Sequence, residues 1–462
     1  MMVGLRFFGG VGEVGGNKIL LEDGDTRVWL DFGKSFNCGA DYYTGYLAPR
    51  GIAGLKDFFE FDLLPKLEGL YAEEMLAETE IKYCEPHFDG IIISHAHGDH
   101  VGHLGFVDPR IPVYTGAGTK LFMEAADETS PNRLGEHAYR AFRTDSRLRI
   151  GSLDVRPIHV DHSIPGAYGF IIYTSEGPIV YTGDMRAHGP KADMTEEFIE
   201  AAAEAKPLAM ITEGTRVTPE DHRQSLSEQQ VYNGVIETCN KSNQKERLII
   251  YTHGPRDMDR LGTFYTAAMI SGRKIVISPK TAHLLSKLVH DEHLDLPDPS
   301  KDENIAVYYR RKKSGNYDES DYYRWERPFL DRMVTPAELK KDPGRYMVNI
   351  DFTSLTELID IRPQRKTSFI YSMSEHFAED DVEGTVLRNW ITHFGLEYVQ
   401  LHASGHISRG ELAEAVARVN PRRLFPVHTE HPEMFREMHG GTVLPEKGKN
   451  YSLLKGSTPV MQ

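Results

Sequence analysis

Short apolar runs bounded by turn residues recur along the chain, and their spacing predicts buried strands rather than long helices. Phe88 to Ser94, Pro178 to Thr182, Leu208 to Thr212 and Arg423 to Val427 are such runs, and each is followed within two residues by a histidine or a carboxylate. Near the C-terminus, Ser408 and Glu411 form a capping-box signature, Leu412, Ala415, Val416 and Val419 mark one helix face, and Asn420-Pro421 ends it. Glu397 to His402 reads as the strand before that helix. If it and Arg423 to Val427 are parallel neighbours, His406 and His428 lie on one sheet edge.

The His-rich stretches fall in two blocks, residues 1–213 and 379–462, while 214–378 alternates strand and helix patterns without one. That predicts a domain inserted into another. Within the insert, Arg247 to Tyr251 predicts a buried strand, Asp257 to Ile270 a helix stopped by Gly272, and Lys274 to Ser278 the next strand, a βαβ unit. The segment 302–327 sets Arg310-Arg311-Lys312-Lys313 among five tyrosines and a tryptophan. It reads as a solvated charged loop, with contact to nucleic acid through charge and stacking as the alternative.

At 462 residues the chain is about twice what one core usually organises, consistent with two domains. No apolar run approaches the roughly 20 residues of a membrane span, and the N-terminus carries no secretory pattern, so a soluble, cytoplasmic protein is expected. Cys38, Cys84 and Cys239 form no C-x-x-C pair, which argues against a disulfide framework and a thiolate metal site. The net charge of −15 opposes whole-surface attraction to nucleic acid, so any such partner must be held locally.

Gly10-Val11-Gly12-Glu13-Val14-Gly15 matches the dinucleotide fingerprint G-x-G-x-x-G, but Lys18 to Glu22 continues as a strand closed by Asp23-Gly24, where that site needs a helix N-terminus. The stronger signal is His95-Ala96-His97-Gly98-Asp99-His100, directly off a strand end. Imidazole and carboxylate suit zinc, and a tight turn can aim His95 and His97 at one ion and Asp99 and His100 at a second. His162 and Asp184, both in loops beyond strands, complete the set. His159 competes with His162 but reads as a strand residue. Glu213 and His428 follow strands in the same way, whereas His290 and His293 have helical spacing and no third ligand, and read as surface residues.

Taken together, Asp31 in Leu30-Asp31-Phe32-Gly33, the run His95 to His100, His162 and Asp184 resemble the metallo-β-lactamase superfamily. Glu213 in Thr212-Glu213-Gly214-Thr215-Arg216, His406 in His402-Ala403-Ser404-Gly405-His406 and His428 in Pro426-Val427-His428-Thr429-Glu430 resemble its β-CASP branch. The opening Gly9 to Asn17 is similar to that of the ribonuclease J family. The resemblance implies an αββα sandwich with an inserted β-CASP α/β domain. It implies two divalent ions, zinc or alternatively manganese, one held by His95, His97 and His162 and the other by Asp99, His100 and His428, with Asp184 bridging and Asp31 orienting the ligand loop.

By the same resemblance the substrate is single-stranded RNA, His406 is the general acid, Glu213 orients it, and His402 and Ser404 bind a 5′ phosphate. A homodimer is the assembly implied. The activity implied is 5′-to-3′ exonucleolysis of 5′-monophosphate RNA, with an endoribonuclease of the same family, or a small-molecule metallo-hydrolase that has no use for the insert, as the alternatives. The chain departs from the larger family members by ending soon after His428 and by a long connection over 34–87, so the shorter, archaeal-type forms are the expected nearest relatives.

Overall fold

The structure, a computed structural model, describes residues 3–130, 133–144, 146–219, 226–374 and 381–453. Residue contacts divide the chain into two units, 1–221 with 405–462, and 222–404.

In chain order the first unit supplies β1 (Val3–Gly9), β2 (Lys18–Asp23), β3 (Thr26–Leu30), β4 (Gly90–Ile93), β5 (Val113–Gly116), β6 (Tyr139–Phe142), β7 (Leu148–Ile150), β8 (Leu153–His159), β9 (Tyr168–Tyr173), β10 (Pro178–Tyr181) and β11 (Ala209–Thr212). The second unit supplies β12 (Ile249–His253), β13 (Lys274–Ile277), β14 (Ile305–Tyr308), β15 (Met333–Val334), β16 (Tyr346–Asn349), β17 (Ser368–Ser372) and β18 (Glu397–Gln400). The chain then returns to the first unit for β19 (Arg423–Pro426) and β20 (Asn450–Ser452).

The first unit is built on two sheets, ordered β20-β1-β2-β3-β4-β5-β6 and β19-β11-β10-β9-β8-β7. Their inner faces share one core: Leu5, Phe7, Ile19, Leu30 and Ile92 from the first meet Val155, Phe170, Ile179, Ile211 and Phe425 from the second. Residues alternating with these on the second sheet, Ile171, Val180, Met210 and Leu424, pack on the other face against Phe198 and Ala202 of the helix Ala192–Ala205 and Leu412, Ala415 and Val416 of the helix Arg409–Val419. The helix Ala117–Thr129 lies against β5 and β6. The layering is helix, sheet, sheet, helix, because period-two alternation leaves each sheet two apolar faces to cover.

In the second unit a single sheet runs β15-β14-β13-β16-β12-β17-β18, and every pairing in it is parallel. Its strands are near-continuous apolar runs, as parallel sheets covered on both sides require. The βαβ unit is present as β12, the helix Met258–Ile270 capped by the Asp257 side chain, and β13, with β16 inserted between the two strands.

One expectation is corrected. β18 and β19 are not neighbours: β18 pairs with β17 in the second unit, from Ser368↔Glu397 to Tyr371↔Gln400, and β19 pairs with β11 in the first. The local pattern marks both as strands, but partner choice is set by non-local packing, and Leu387 and Leu396 tie the segment before β18 to the second core. The chain accordingly re-enters the first unit at 405. The boundary expected at 378/379 falls on residues 375–380, outside the described residues. The boundary expected after 213 lies inside the first unit, where Val217 joins the core and the Gly214 amide donates to His428 O at 3.4 Å. No described helix is long and apolar enough to cross a membrane.

Candidate metal centre

β10, β11 and β19 are adjacent and parallel, in register through Tyr181↔Ile211 and Thr212↔Pro426. Residues just past their C-terminal ends therefore stand side by side: Asp184, Glu213 and His428. From the facing sheet, β4 delivers Ser94 to His97, and the short helix Gly98–Val101 turns Asp99 and His100 inward. The loop from β8 to β9 brings His162.

These side chains form two donor sets. His95, His97 and His162 are one, and Asp99, His100, Asp184 and His428 the other, the ligand atoms of each lying within 4.8 Å of one another. In the first, His97 Nδ1 is 3.0 Å from His95 Nε2 and 3.1 Å from His162 Nε2. In the second, His428 Nε2 is 2.9 Å from Asp99 Oδ2. Asp184 Oδ2 lies between the sets, 3.7 Å from His95 Nε2, 3.1 Å from His100 Nε2 and 3.5 Å from His428 Nε2. Asp184 Oδ1 is buried and has no hydrogen-bond partner among the described residues. A buried carboxylate oxygen left open and imidazole nitrogens converging on common points are what a cation would satisfy and protein donors do not. The residues fit divalent ions.

The electrostatics agree. Burial, reinforced by neighbouring imidazoles, holds His95 and His162 well below the ordinary histidine range, so both present neutral nitrogens. Burial opposes ionisation of Asp184 and Asp99 too, but His100 and His428 outweigh it and keep both carboxyls below their usual range. His100 is pushed the other way: burial lowers it, yet Asp184 and Asp31 raise it well above its ordinary value.

Asp31 sits at a left-handed φ of 56° off the end of β3 and accepts from the Ser94 amide (2.7 Å), the Ser94 hydroxyl (2.7 Å) and the Tyr181 hydroxyl (2.6 Å), with His100 Nδ1 at 2.6 Å. That contact fixes Nδ1–H on His100 and frees Nε2 for the centre. His162 Nδ1 donates to Gly405 O at 2.6 Å, with the same consequence. The glycine run near the N-terminus packs here instead of cradling a nucleotide: the Gly16 and Asn17 amides donate to Asp99 O, and Gly10 O accepts from the His428 amide at 2.8 Å. A Cβ on Gly33 would stand 1.6 Å from Asp99 O.

His406 Nδ1 is 2.9 Å from Glu213 Oε2 and 3.8 Å from Asp184 Oδ2, and its side chain is 22% exposed where most of its neighbours are buried. Burial disfavours its charge, but Glu213, by charge and hydrogen bond, and then Asp184 and Asp99, raise its pKa to about 9. Glu213 is held in turn by the Met185 amide on Oε1 at 2.8 Å.

His402 lies in the second unit, with Nδ1 3.3 Å from Ser372 O and Nε2 3.4 Å from the Ser374 hydroxyl, and Ser404 is that unit's last residue. His159 ends β8, stacks on Tyr168 and faces the Thr144 hydroxyl, and so is not a donor to the centre. His290 and His293 are exposed. Sequence reasoning missed Ser94, Tyr181 and the buried pair Asp161–Arg186, which join the loops carrying His162 and Asp184. Their position within a few residues of a ligand was the available signal.

Residues 71–253 match the β-lactamase superfamily domain, and 396–437 match the Zn-dependent metallo-hydrolase RNA specificity domain. The chain is 24% identical to ribonuclease J of Sinorhizobium meliloti over 351 residues, 74% of this chain and 57% of that protein. To ribonuclease J of Mycoplasma pneumoniae it is 22% identical over 454 residues, 92% of this chain and 68% of that one. The match thus spans little more than half of the Sinorhizobium relative. Among solved structures, a protein of unknown function from Enterococcus faecalis V583 shares the fold, with a TM-score of 0.77 at 20% identity over 98% of this chain and 100% of that chain.

Proposed function

We propose that this chain, ribonuclease J-like and of the metallo-β-lactamase fold, hydrolyses RNA phosphodiesters at a centre of two zinc ions. The observation that carries the reading is Asp184, placed between two donor sets with one oxygen left without a protein partner. His95, His97 and His162 would hold one ion, Asp99, His100 and His428 the other, and Asp184 would touch both. Imidazoles predominate, which favours zinc, while the carboxylates also suit manganese. Ions bound there supply positive charge to the phosphoryl oxygens and lower the pKa of water.

The chain's own residues do the rest. When water adds to phosphorus and the P–O3′ bond breaks, the leaving oxygen needs a proton. His406, whose Nδ1 is 2.9 Å from Glu213 Oε2, would donate it. The products carry a 5′ phosphate and a 3′ hydroxyl. The expected metal content is two divalent ions per chain in active protein, measured by elemental analysis; one ion or none would overturn the reading.

His402 and Ser404, a few residues before His406, are proposed to hold a 5′-terminal phosphate through imidazole and hydroxyl donors, giving 5′-to-3′ exonucleolysis. RNAs alike except for a 5′ monophosphate, triphosphate or hydroxyl test this. The monophosphate is expected to be degraded fastest by the parent, and Ser404→Ala and His402→Ala to lose that preference. Indifference to the 5′ group would make internal cleavage the better description, and turnover of small esters without RNA cleavage would replace the nuclease reading.

A further inference from the structure

The segment from Tyr309 to Arg327, in the second unit, is folded where a solvated loop was the simpler expectation. Tyr309 OH donates to Glu326 O, Tyr322 OH to Arg310 O at 3.1 Å, and Ser314 caps Asp321 through its amide (3.1 Å) and hydroxyl (2.5 Å). The Glu326 carboxylate, on a buried residue, accepts from Lys312 Nζ at 2.7 and 2.8 Å and from the Tyr323 amide at 2.8 Å. These bonds fix the outer surface.

On that surface Tyr323 and Trp325 stack, with centroids 6.0 Å apart and an interplanar angle of 12°, and Tyr323 is 64% exposed. Lys312 Nζ approaches the Tyr323 ring at 5.1 Å and that of Tyr322 at 5.5 Å. Arg310 and Arg324 are exposed and form no ion pair among the described residues, unlike Arg311 with Asp360 and Lys312 with Glu326. An exposed tyrosine stacked on a half-buried tryptophan, with two exposed guanidiniums in the same segment, offers a ring face and positive charge on a chain of net charge −15.

We propose that this face is a platform for single-stranded RNA, with a base stacked on Tyr323 and backbone phosphates on Arg310 and Arg324. Stacking on aromatic rings beside cationic groups is how proteins take single strands without reading sequence. A protein partner is the less suited occupant, since this face offers flat rings and positive charge. The inference rests on the ribonuclease reading and adds a strand-binding surface built wholly within the second unit.

The test is anisotropy titration of the full chain, in chelator so that no cleavage occurs, with an oligouridylate of about 20 nucleotides, long enough for several stacking sites. Tyr323→Ala is expected to raise Kd about fivefold or more, and Tyr323→Phe to keep parental affinity, because the ring and not the hydroxyl is used. Arg310→Gln with Arg324→Gln should flatten the slope of log K against log salt by about 0.7 for each phosphate that is no longer neutralised. Lys341→Gln, an exposed charge elsewhere in the unit, should leave the slope unchanged. Parental binding by both Tyr323→Ala and the double arginine variant overturns the platform while leaving the ribonuclease reading intact. Failure of the parent to bind the RNA removes both.

Discussion

His406→Ala is expected to lower the rate of RNA cleavage by about 10² to 10⁴, the usual cost of losing a positioned general acid, while metal content stays that of the parent. The grounds are geometric. His406 Nδ1 is engaged with Glu213 Oε2 at 2.9 Å, and its side chain is more exposed than those of the buried histidines around it. The competing reading is that Asp184, Glu213 and His406, which also cluster, form part of an ion site. Single-turnover rates alongside elemental analysis separate the two. Loss of an ion in His406→Ala would make it a ligand, and a rate within threefold of the parent would remove it from the chemistry. Glu213→Gln should fall between parent and His406→Ala, because an amide still contacts the imidazole but no longer stabilises its charge.

What the sequence discloses here follows from where physics is local. His95 to His100, Asp184, Glu213 and His428 were legible as candidates because each follows a short apolar run whose length and flanking turn residues mark a buried strand, and a polar residue at such an end is displayed on a sheet edge. The capping box at Ser408 and the buried face of Leu412, Ala415, Val416 and Val419 were legible for the same reason, and the structure has both. The neighbour of β19 was not. Hydrogen-bond ladders between strands depend on packing far along the chain, so the true neighbours of β19's end, Glu213 after β11 and Asp184 after β10, emerge only from the fold.

The segment Tyr309 to Arg327 shows the limit from the other side. Its composition admits both a solvated loop and an ordered surface, and the difference lies in one buried carboxylate, Glu326, that gathers Lys312 and the Tyr323 amide. Nothing in residue spacing announces that pairing. Asp31 is similar: as an aspartate after a strand it is unremarkable, and its left-handed φ and four converging donors appear only once the stretch from Ser94 to His100 and the distant Tyr181 are brought to it. Strained backbone at Asp31 (φ 56°) and His428 (φ 54°) marks the places where surrounding contacts over-determine the chain, as at functional centres generally.

The largest stability effect is expected at Arg186. Its guanidinium is fully buried, with Nε 3.1 Å from Asp161 Oδ1, and its amide donates to Asp161 O at 2.8 Å. Thr195 closes the group, its hydroxyl donating to Arg186 O at 2.8 Å and accepting from the Asp161 amide at 2.9 Å. Arg186 lies two residues after Asp184, and Asp161 immediately before His162, so the pair fastens the loop of one donor set to the loop of the other. A Cβ on Gly189 would come within 2.2 Å of both Arg186 Nε and Asp161 Oδ2, so the packing leaves no room for water to replace a lost charge. Arg186→Met should therefore cost about 3 to 5 kcal/mol, most of it from leaving the buried Asp161 carboxylate without its guanidinium. Arg186→Met combined with Asp161→Asn should cost clearly less than the sum of the two single changes, since it removes both charges. Urea unfolding of the chelated chain measures both, and metal retention of the folded variants measures the functional consequence, a weakened hold on the His162 side. A single variant within about 1 kcal/mol of the parent, in the range of an exposed pair, would mean that the two loops are held by backbone contacts alone.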